Sequence, residues 1–310
     1  VRLYETIAES YLQWADIAVN LQGDHSKLDL LEQANNYCRR AIGIAPGRVH
    51  CHAKIARSYA LILNAKTLQR IRLGSEFQEL LDIAQNGLSI DHNHADLYDS
   101  IANGYASLAL EEDVDDSNER YQKLINHTDL AIKYFRQALS LQPRSPIYLT
   151  NLGVTYLNKA LNIFSREGIL PQTELNLAIS NHKAAAAIDP NYVAAWTDLL
   201  SDYTALIQEM SLLGQDPAAV VQSMRDDVHR YLTDIKDEYS IIGVAMAYHV
   251  SFRYPLWKYD KTAVIESFLR QRDISARLKI TLPIGGKSFT FISLYQAVDE
   301  ARTRLFLGQD

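Results

Sequence analysis

The chain has 310 residues, of which 47% are hydrophobic and 22% charged, and its formal net charge at pH 7 is −6. This balance suits a folded protein and argues against nucleic acid or an anionic membrane as the partner, because both are bound through clustered Lys and Arg. No apolar run is long enough to cross a bilayer, and Val1-Arg2-Leu3-Tyr4 lacks the order of a signal peptide. We therefore predict a soluble, cytoplasmic protein, and the helical pattern already under way at Val1 suggests a piece of a longer one.

An apolar pattern centred on a tyrosine recurs along the whole chain. Its most complete form runs from Leu149 to Pro190, where Leu152-Gly153-x2-Tyr156 precedes Ala178-x3-His182-x2-Ala185-x4-Pro190. The same frame returns every 45 to 51 residues, at Tyr11, Tyr59, Tyr105, Tyr203 and Tyr248. Regular recurrence on this scale indicates stacked helical hairpins that bury their apolar faces against one another. The tyrosines are therefore predicted to fill equivalent core positions.

The frame divides the chain into six predicted hairpins, at residues 1–46, 47–92, 93–143, 144–190, 191–236 and 237–282. In the first, a helix over about residues 1–21 precedes one from Leu28 to Ile44, and the second hairpin turns at Gly74-Ser75. The acidic run of residues 111–118 predicts a solvated loop inside the third hairpin.

The remaining turns follow Gly and Pro. The fourth hairpin turns at residues 168–171, and the fifth turns at 214–217, where Asp216 followed by Pro217 suits a helix N-cap. Tyr254-Pro255 interrupts the sixth, and residues 281–288 are predicted to be a turn or loop. Residues 283–310 would then form that loop and a C-terminal capping helix with one apolar face, carrying Phe291, Leu294, Val298, Ala301 and Leu305.

The Leu-Gly-x2-Tyr and Ala-x3-Phe-x2-Ala-x4-Pro patterns resemble the tetratricopeptide repeat (TPR), with a longer period than that family's 34 residues. The resemblance implies an all-α, right-handed α-solenoid of about six TPR-like hairpins with extended helices. The long period and the Gly-Asp-Pro turn are similar to the TPR region of bacterial eukaryotic-like serine/threonine kinases. The chain carries no kinase motif of its own. We therefore predict no enzymatic activity for this segment.

In the TPR family the first helix of each hairpin lines a concave, ligand-binding groove. Transferred by register, the resemblance implies a peptide-binding groove made of Glu5, Glu9, His50, Arg57, Asp96, Asp99, Asn103, Thr150, Val154, Thr197, Ser201, Tyr239 and Met246. The alternative is that each is an ordinary solvated residue. Glu5 and Glu9 stand where the family's clamp for a chaperone carboxylate needs Lys and Asn, which argues against that specialised role.

Other candidate sites are weaker. His50-Cys51-His52 and His92-Asn93-His94 contain metal-ligand types, but adjacent helical side chains diverge by about 100°. The run that begins at Asp113 lacks the glycine and glutamate of a calcium loop, and Gly285-Gly286-Lys287-Ser288 lacks the first glycine of a phosphate loop. We predict no cofactor and no metal, and we interpret Cys38 and Cys51 as a reduced, buried pair.

The function predicted from these patterns is a non-catalytic scaffold that binds a protein or peptide segment, as part of a larger bacterial signalling protein. The first alternative is self-association as a homodimer through the fifth and sixth hairpins, with Trp257 and Tyr259 in the contact. A small-molecule site among Tyr239, Met246 and His249, which would indicate an enzyme, is the remaining alternative.

Overall fold

The computed structural model describes residues 1–18, 25–68, 70–112, 118–234, 281–284 and 287–290. The chain divides into two compact units, residues 1–159 and 160–310. The helices of the first unit are α1 (Arg2–Ala18), α2 (His25–Ile44), α3 (Val49–Leu68), α4 (Glu76–Ile90), α5 (Ala95–Glu112) and α6 (Asn118–Leu141). Helix α7 (Pro146–Glu167) crosses the boundary, and the second unit continues with α8 (Gln172–Ile188), α9 (Val193–Leu212), α10 (Ala218–Asp234), β1 (Thr281–Ile284) and β2 (Lys287–Thr290).

The helices form because apolar residues recur at spacings of three and four, which places them on one face. In α1 this face buries Ala8, Leu12 and Ala15. The second helices bury the predicted motif positions: Ala34, Cys38 and Ala41 in α2, Ala131, Phe135 and Ala138 in α6, and Ala178, His182 and Ala185 in α8. Fully burying a large apolar side chain such as Leu12 or Phe135 contributes about 1.5–3 kcal/mol. The small residues beside them let neighbouring helices approach closely, so the repeated motif is a packing seam.

Three of the recurring tyrosines have matching environments. The three are Tyr59, Tyr156 and Tyr203. Each ring is buried, and each is contacted by a basic side chain of the preceding helix. Arg39 donates to the Tyr59 hydroxyl over 2.8 Å, Arg136 donates to the Tyr156 hydroxyl over 2.5 Å, and the Lys183 ammonium lies 5.6 Å from the centre of the Tyr203 ring. The prediction that these rings occupy equivalent core positions is therefore confirmed for these three.

The hydroxyls of two of these tyrosines also donate to a carboxylate of the helix that follows. Tyr59 donates to Glu79, and Tyr203 donates to Asp227 over 2.5 Å. Tyr105 is packed differently, because its ring stacks on Tyr134 with a centroid distance of 5.7 Å and meets Phe77 edge-on. Tyr248 lies outside the described residues.

Two predicted turns contain a glycine that ends a helix. Gly168 has φ +65° after α7 and Gly214 has φ +71° after α9, in the left-handed region that glycine enters without steric cost. Helix α10 starts after Pro217, and the Asp216 carboxylate accepts a hydrogen bond of 3.0 Å from the Ala218 amide. Asp216 therefore caps α10 as predicted, because it accepts from one of the amides that lack a partner within the helix.

Gly87 allows α4 to approach its neighbours. A Cβ atom at this position would lie 2.7 Å from Leu97 Cδ1 on α5 and 3.0 Å from His52 Cβ on α3. Real Cβ contacts are longer, so a larger residue would push α4 away from both helices.

The prediction of a turn or loop over residues 281–288 is wrong for most of its length. Thr281–Ile284 and Lys287–Thr290 pair as antiparallel strands, with Leu282 opposite Phe289. Thr, Ile and Phe favour extended backbone, which suits these two segments. The remainder of the predicted sixth hairpin and of the predicted capping helix lies outside the described residues. The predicted repeat boundaries stay predictions.

Among the helices that the structure describes, none is both long enough and apolar enough to cross a membrane.

Candidate functional site

The predicted groove residues of the first unit lie on α1, α3, α5 and α7, which are the first helices of their hairpins. We call the polar surface formed by these four helices within residues 1–159 the first-helix surface. Its side chains form hydrogen bonds and ion pairs from each helix to the next. These bonds decide which predicted residues are brought together.

Between α1 and α3, the two glutamates of α1 are held by basic residues. The Lys54 ammonium lies 2.8 Å from Glu9 Oε2 and donates over 3.2 Å to the Glu5 carbonyl oxygen. Arg48 Nε lies 3.7 Å from Glu5 Oε1, and the Cys51 thiol donates to the same oxygen over 3.5 Å. Glu5 and Glu9 therefore link the first two hairpins.

Between α3 and α5, two histidines meet. His50 Nδ1 lies 3.3 Å from His94 Nε2, and the two rings are close to perpendicular. The other ring nitrogen of His94 lies 3.8 Å from Asp96 Oδ2. Arg57, also on α3, is exposed, and its charge lowers the pKa of Asp99 on α5.

Between α5 and α7, the structure brings together the most polar part of this surface. Asn151 donates over 3.0 Å to one carboxylate oxygen of Asp99, and Asn103 donates over 3.1 Å to the other. The Tyr148 hydroxyl donates to Asp96, whose side chain keeps 58% of its surface exposed. Each carboxylate oxygen can accept more than one hydrogen bond, so this cluster has acceptor capacity left for a ligand.

The electrostatics of Asp99 follow from its partly buried position. Burial raises the pKa of Asp99 to about 6, and the Asp96 charge acts in the same direction. The amide of Asn151, the Arg57 charge and the amide of Asn103 all lower it. A cation placed against this cluster would lower the pKa of Asp99, because a nearby positive charge favours the ionised carboxylate. The cluster therefore suits an ammonium or guanidinium group.

The other predicted groove residues differ in their exposure to solvent. Thr150 is buried, Val154 and Thr197 are half-buried, and Ser201 is exposed with its hydroxyl donating to the Thr197 carbonyl oxygen. Tyr239 and Met246 lie outside the described residues.

Sequence reasoning missed three residues that complete the first-helix surface. The transferred register does not contain Lys54, Tyr148 or Asn151, although Asn151 directly follows its Thr150. They contact α1 or α5 because neighbouring helices are rotated relative to one another. A register counted along one helix carries no information about that rotation. No signal in the single sequence distinguishes them.

The second unit has a polar interior that sequence reasoning also missed. His182 Nδ1 donates over 2.6 Å to Asp202 Oδ2, and both side chains are fully buried. Burial raises the pKa of Asp202 to about 6, whereas His182 lowers it. Glu209, on the same helix as Asp202, is 3% exposed, and burial raises its pKa to about 7. Among the described residues, neither of its carboxylate oxygens has a hydrogen-bond partner.

A metal site needs several donor side chains that converge on one point. Within the described parts of the chain, no group of three or more His, Cys, Asp or Glu side chains is placed to hold a metal ion.

No protein-family model matches the chain, and no curated protein matches it in sequence. Several solved structures match in three dimensions. The nuclear import adaptor Nro1 of S. pombe, in one crystal form, matches with a TM-score of 0.59 and 14% identity, covering 94% of this chain and 95% of its own. A second crystal form of Nro1 matches with a TM-score of 0.58 and 13% identity, covering 89% and 93%. A thermophilic TPR protein of Thermus thermophilus matches with a TM-score of 0.41 and 12% identity, covering 86% and 98%.

The similarity to Nro1 extends over nearly the whole of both chains, and at this level of identity it shows the fold alone. Together with the paired helices and their buried motif positions, it confirms the predicted fold class, an α-solenoid of helical hairpins. The similarity to the Thermus thermophilus protein is too low to carry an argument.

Proposed function

We propose that this chain is a non-catalytic scaffold that binds a protein or peptide segment along the first-helix surface. The observation that carries the proposal is the cluster of Asp96, Asp99, Asn103 and Asn151, which gathers acceptor oxygens and amide groups from two consecutive hairpins. Extended or helical segments bind such surfaces through a few anchoring side chains and through their backbone groups.

The chemistry of the cluster favours a segment that carries Lys or Arg. Asp96 is largely exposed beside the partly buried Asp99, so a cation could pair with the first and approach the second. A charge-assisted hydrogen bond of this type contributes about 1.5–3 kcal/mol when it is well formed. The exposed Arg57 on α3 would contact an acidic or carbonyl group further along the same segment.

A random-peptide display selection on the immobilised chain tests this proposal. We expect the enriched peptides to share a basic residue, and Asp99→Asn to weaken their binding by about tenfold, which corresponds to about 1.4 kcal/mol. Glu5→Gln and Arg57→Ala should each weaken the binding of a subset of the enriched peptides. The matched control is Asp82→Asn, which changes an exposed carboxylate on the second helix α4. Peptides that bind equally well to all of these variants would contradict the assignment of the surface.

We also propose, on the sequence resemblance alone, that the scaffold recruits partners for a larger bacterial, cytoplasmic signalling protein such as a serine/threonine kinase. The reading frame around the coding segment is the test. A kinase domain encoded in the same frame would support the proposal, and an unrelated domain would reject it.

Self-association is the second candidate function, and one observation favours it. Leu3 and Trp14 of α1 are 69% and 59% exposed and lie about three turns apart on one side of the helix. Exposed apolar surface of this kind often marks a contact with another chain. The contact predicted from Trp257 and Tyr259 lies outside the described residues.

Light scattering across a concentration series tests the second candidate. A dimer that dissociates when Leu3 and Trp14 are both replaced by Ser would support it. A monomer at every concentration would reject it and leave the scaffold proposal unaffected.

A further inference from the structure

One histidine from each of two sequence motifs meets between α3 and the start of α5. Adjacent side chains of His50-Cys51-His52 diverge along α3, but the fold places His50 against His94, which immediately precedes α5. His50 Nδ1 lies 3.3 Å from His94 Nε2, and the ring centroids are 5.3 Å apart. The pair therefore presents two imidazole nitrogens from separate elements at one point.

The separation of these two nitrogens matches that of two ligands on one tetrahedral metal ion. Zn–N bonds are about 2.0–2.1 Å long, and at the tetrahedral angle they place two nitrogens about 3.3–3.4 Å apart. Neighbouring ligands of a square-planar ion lie at a right angle and would be closer, at about 2.9 Å. A zinc ion can therefore take the place of the proton between the two rings without moving their nitrogens apart.

Asp96 supplies the carboxylate that commonly supports a zinc-bound histidine. A ligating imidazole donates its other N–H to a carboxylate, a carbonyl group or water, which fixes the tautomer of the ring. Asp96 Oδ2 lies 3.8 Å from His94 Nδ1, and no described residue forms a hydrogen bond with that nitrogen. The Tyr148 hydroxyl holds the other oxygen of Asp96. A small side-chain movement lets Nδ1–H of His94 donate to Asp96, which leaves Nε2 as the metal ligand.

The two rings differ in exposure, which gives one fixed ligand and one accessible ligand. The His94 side chain is 9% exposed, so packing restricts its orientation, whereas His50 is exposed and leaves a path for an ion. The negative charges of Asp96 and Asp99 favour a cation at this place, and the positive charge of Arg57 opposes them in part.

We propose that His50 and His94 form a zinc site that joins α3 to the start of α5. The spacing is tetrahedral and imidazole is a preferred ligand of zinc, whereas Mg²⁺ and Ca²⁺ take oxygen ligands. Two protein ligands leave two positions for water or for a donor group of a bound chain. The site does not depend on the scaffold proposal, because both histidines belong to this chain.

The experiment uses the full chain, freed of metal with a chelator, desalted and titrated with zinc chloride in an isothermal calorimeter. We expect the tightest step to bind one zinc ion per chain. His50→Ala and His94→Ala should each weaken this step more than about tenfold, because each removes a ligand. Asp96→Asn should weaken it about tenfold and keep one ion per chain, because both ligands remain. Circular dichroism checks that the variants are folded.

His92→Ala and Asp82→Asn are the matched controls. His92 is an exposed histidine of the turn before α5 that lies outside the pair, and Asp82 is an exposed carboxylate of α4. Neither variant should change the affinity for zinc, because neither removes a ligand or the supporting carboxylate.

Thermal unfolding gives a second readout. Zinc should raise the Tm of the parent chain and not that of His50→Ala, because an ion that binds the folded chain stabilises it. Excess Mg²⁺ should not displace the zinc. The proposal would be overturned by a parent chain that binds no zinc, by an affinity unchanged in His50→Ala or His94→Ala, by an equal loss in His92→Ala, or by displacement with Mg²⁺.

Discussion

The two units of this chain place their polar groups in opposite ways. In residues 1–159, Asp96, Asp99 and their partners lie at a partly exposed surface, and each carboxylate oxygen of Asp99 accepts a hydrogen bond from an amide. In the described part of residues 160–310, the His182–Asp202 pair and Glu209 are buried, and no described residue hydrogen-bonds to one oxygen of Asp202 or to either oxygen of Glu209. A satisfied, accessible cluster can exchange partners with a ligand, whereas a buried one governs stability and its dependence on pH.

Replacing one member of the buried His182–Asp202 pair should change the free energy of unfolding more than any other substitution considered. His182→Leu removes the partner of a fully buried carboxylate, and we expect a loss of about 3–5 kcal/mol in the free energy of unfolding. Urea denaturation followed by circular dichroism measures it.

The double variant His182→Leu with Asp202→Leu is the control for this prediction. It should recover most of the loss, because two apolar groups leave no buried charge behind. A single variant as stable as the parent chain would show that the pair is not isolated from water.

Glu209 should make the second unit less stable as the pH rises. Burial raises its pKa to about 7, so the folded chain holds this proton more tightly than the unfolded chain does. Stability is therefore greatest below about pH 4.5, is lost as the pH rises through about 7, and is constant above that. We expect Glu209→Gln to raise the unfolding free energy by about 1–3 kcal/mol at pH 8 and by little at pH 5.

Denaturation midpoints of the Glu209→Gln variant at the two pH values measure this difference. Asp226→Asn, which changes an exposed carboxylate on α10, is the matched control and should shift neither midpoint. An equal gain for Glu209→Gln at pH 5 and pH 8 would contradict the interpretation of Glu209 as an unpaired, buried acid.

In the first unit, removing one hydrogen-bond donor of Asp99 should reduce the free energy of unfolding by less. Asn151→Ala removes one of the amides that donate to Asp99, and we expect a loss of about 1 kcal/mol because the carboxylate stays partly hydrated and keeps Asn103. Asn126→Ala, at an exposed position of α6, is the control and should change stability by less than about 0.5 kcal/mol. A loss as large as that of His182→Leu would remove the distinction between the two units.

The smallest effect concerns the pH dependence of ligand binding to the first unit. Because burial raises the pKa of Asp99 to about 6, a peptide cation should bind more weakly as the pH falls through this value and the carboxylate becomes neutral. We expect a few-fold change in affinity between pH 7.5 and pH 5.5 for the parent chain, which corresponds to about 1 kcal/mol or less. Fluorescence anisotropy of a selected peptide measures it, and a slope unchanged in Asp99→Asn would assign the effect to another group.

The helices and turns could be predicted because their determinants are local. Apolar spacing indicated the seam positions such as Ala34 and Ala138, and Gly168 and Gly214 marked helix ends because few other residues adopt positive φ without strain. The strands at Thr281–Ile284 and Lys287–Thr290 were missed because each is too short for its alternation to be distinguished from a loop.

The candidate site was predicted only in part, because contacts between helices depend on their relative rotation. One step along a helix turns a side chain by about 100°, so a small error in the transferred register separates Thr150, which is buried, from Asn151, which binds Asp99. The interior of the second unit was missed for a related reason. Glu209 belongs to a helix with polar residues on several sides, and only the packing of its neighbours shows that its carboxylate is enclosed.

The claim that the first helices form the binding surface has a direct test. A photocrosslinking amino acid is placed at Asn103 of α5 or at the exposed Gln137 of the second helix α6, in separate chains, and each is irradiated with a selected peptide. We predict an efficient crosslink from position 103, competed by unlabelled peptide, and none above background from position 137. Equal crosslinking from both positions, or crosslinking from position 137 alone, would contradict the account.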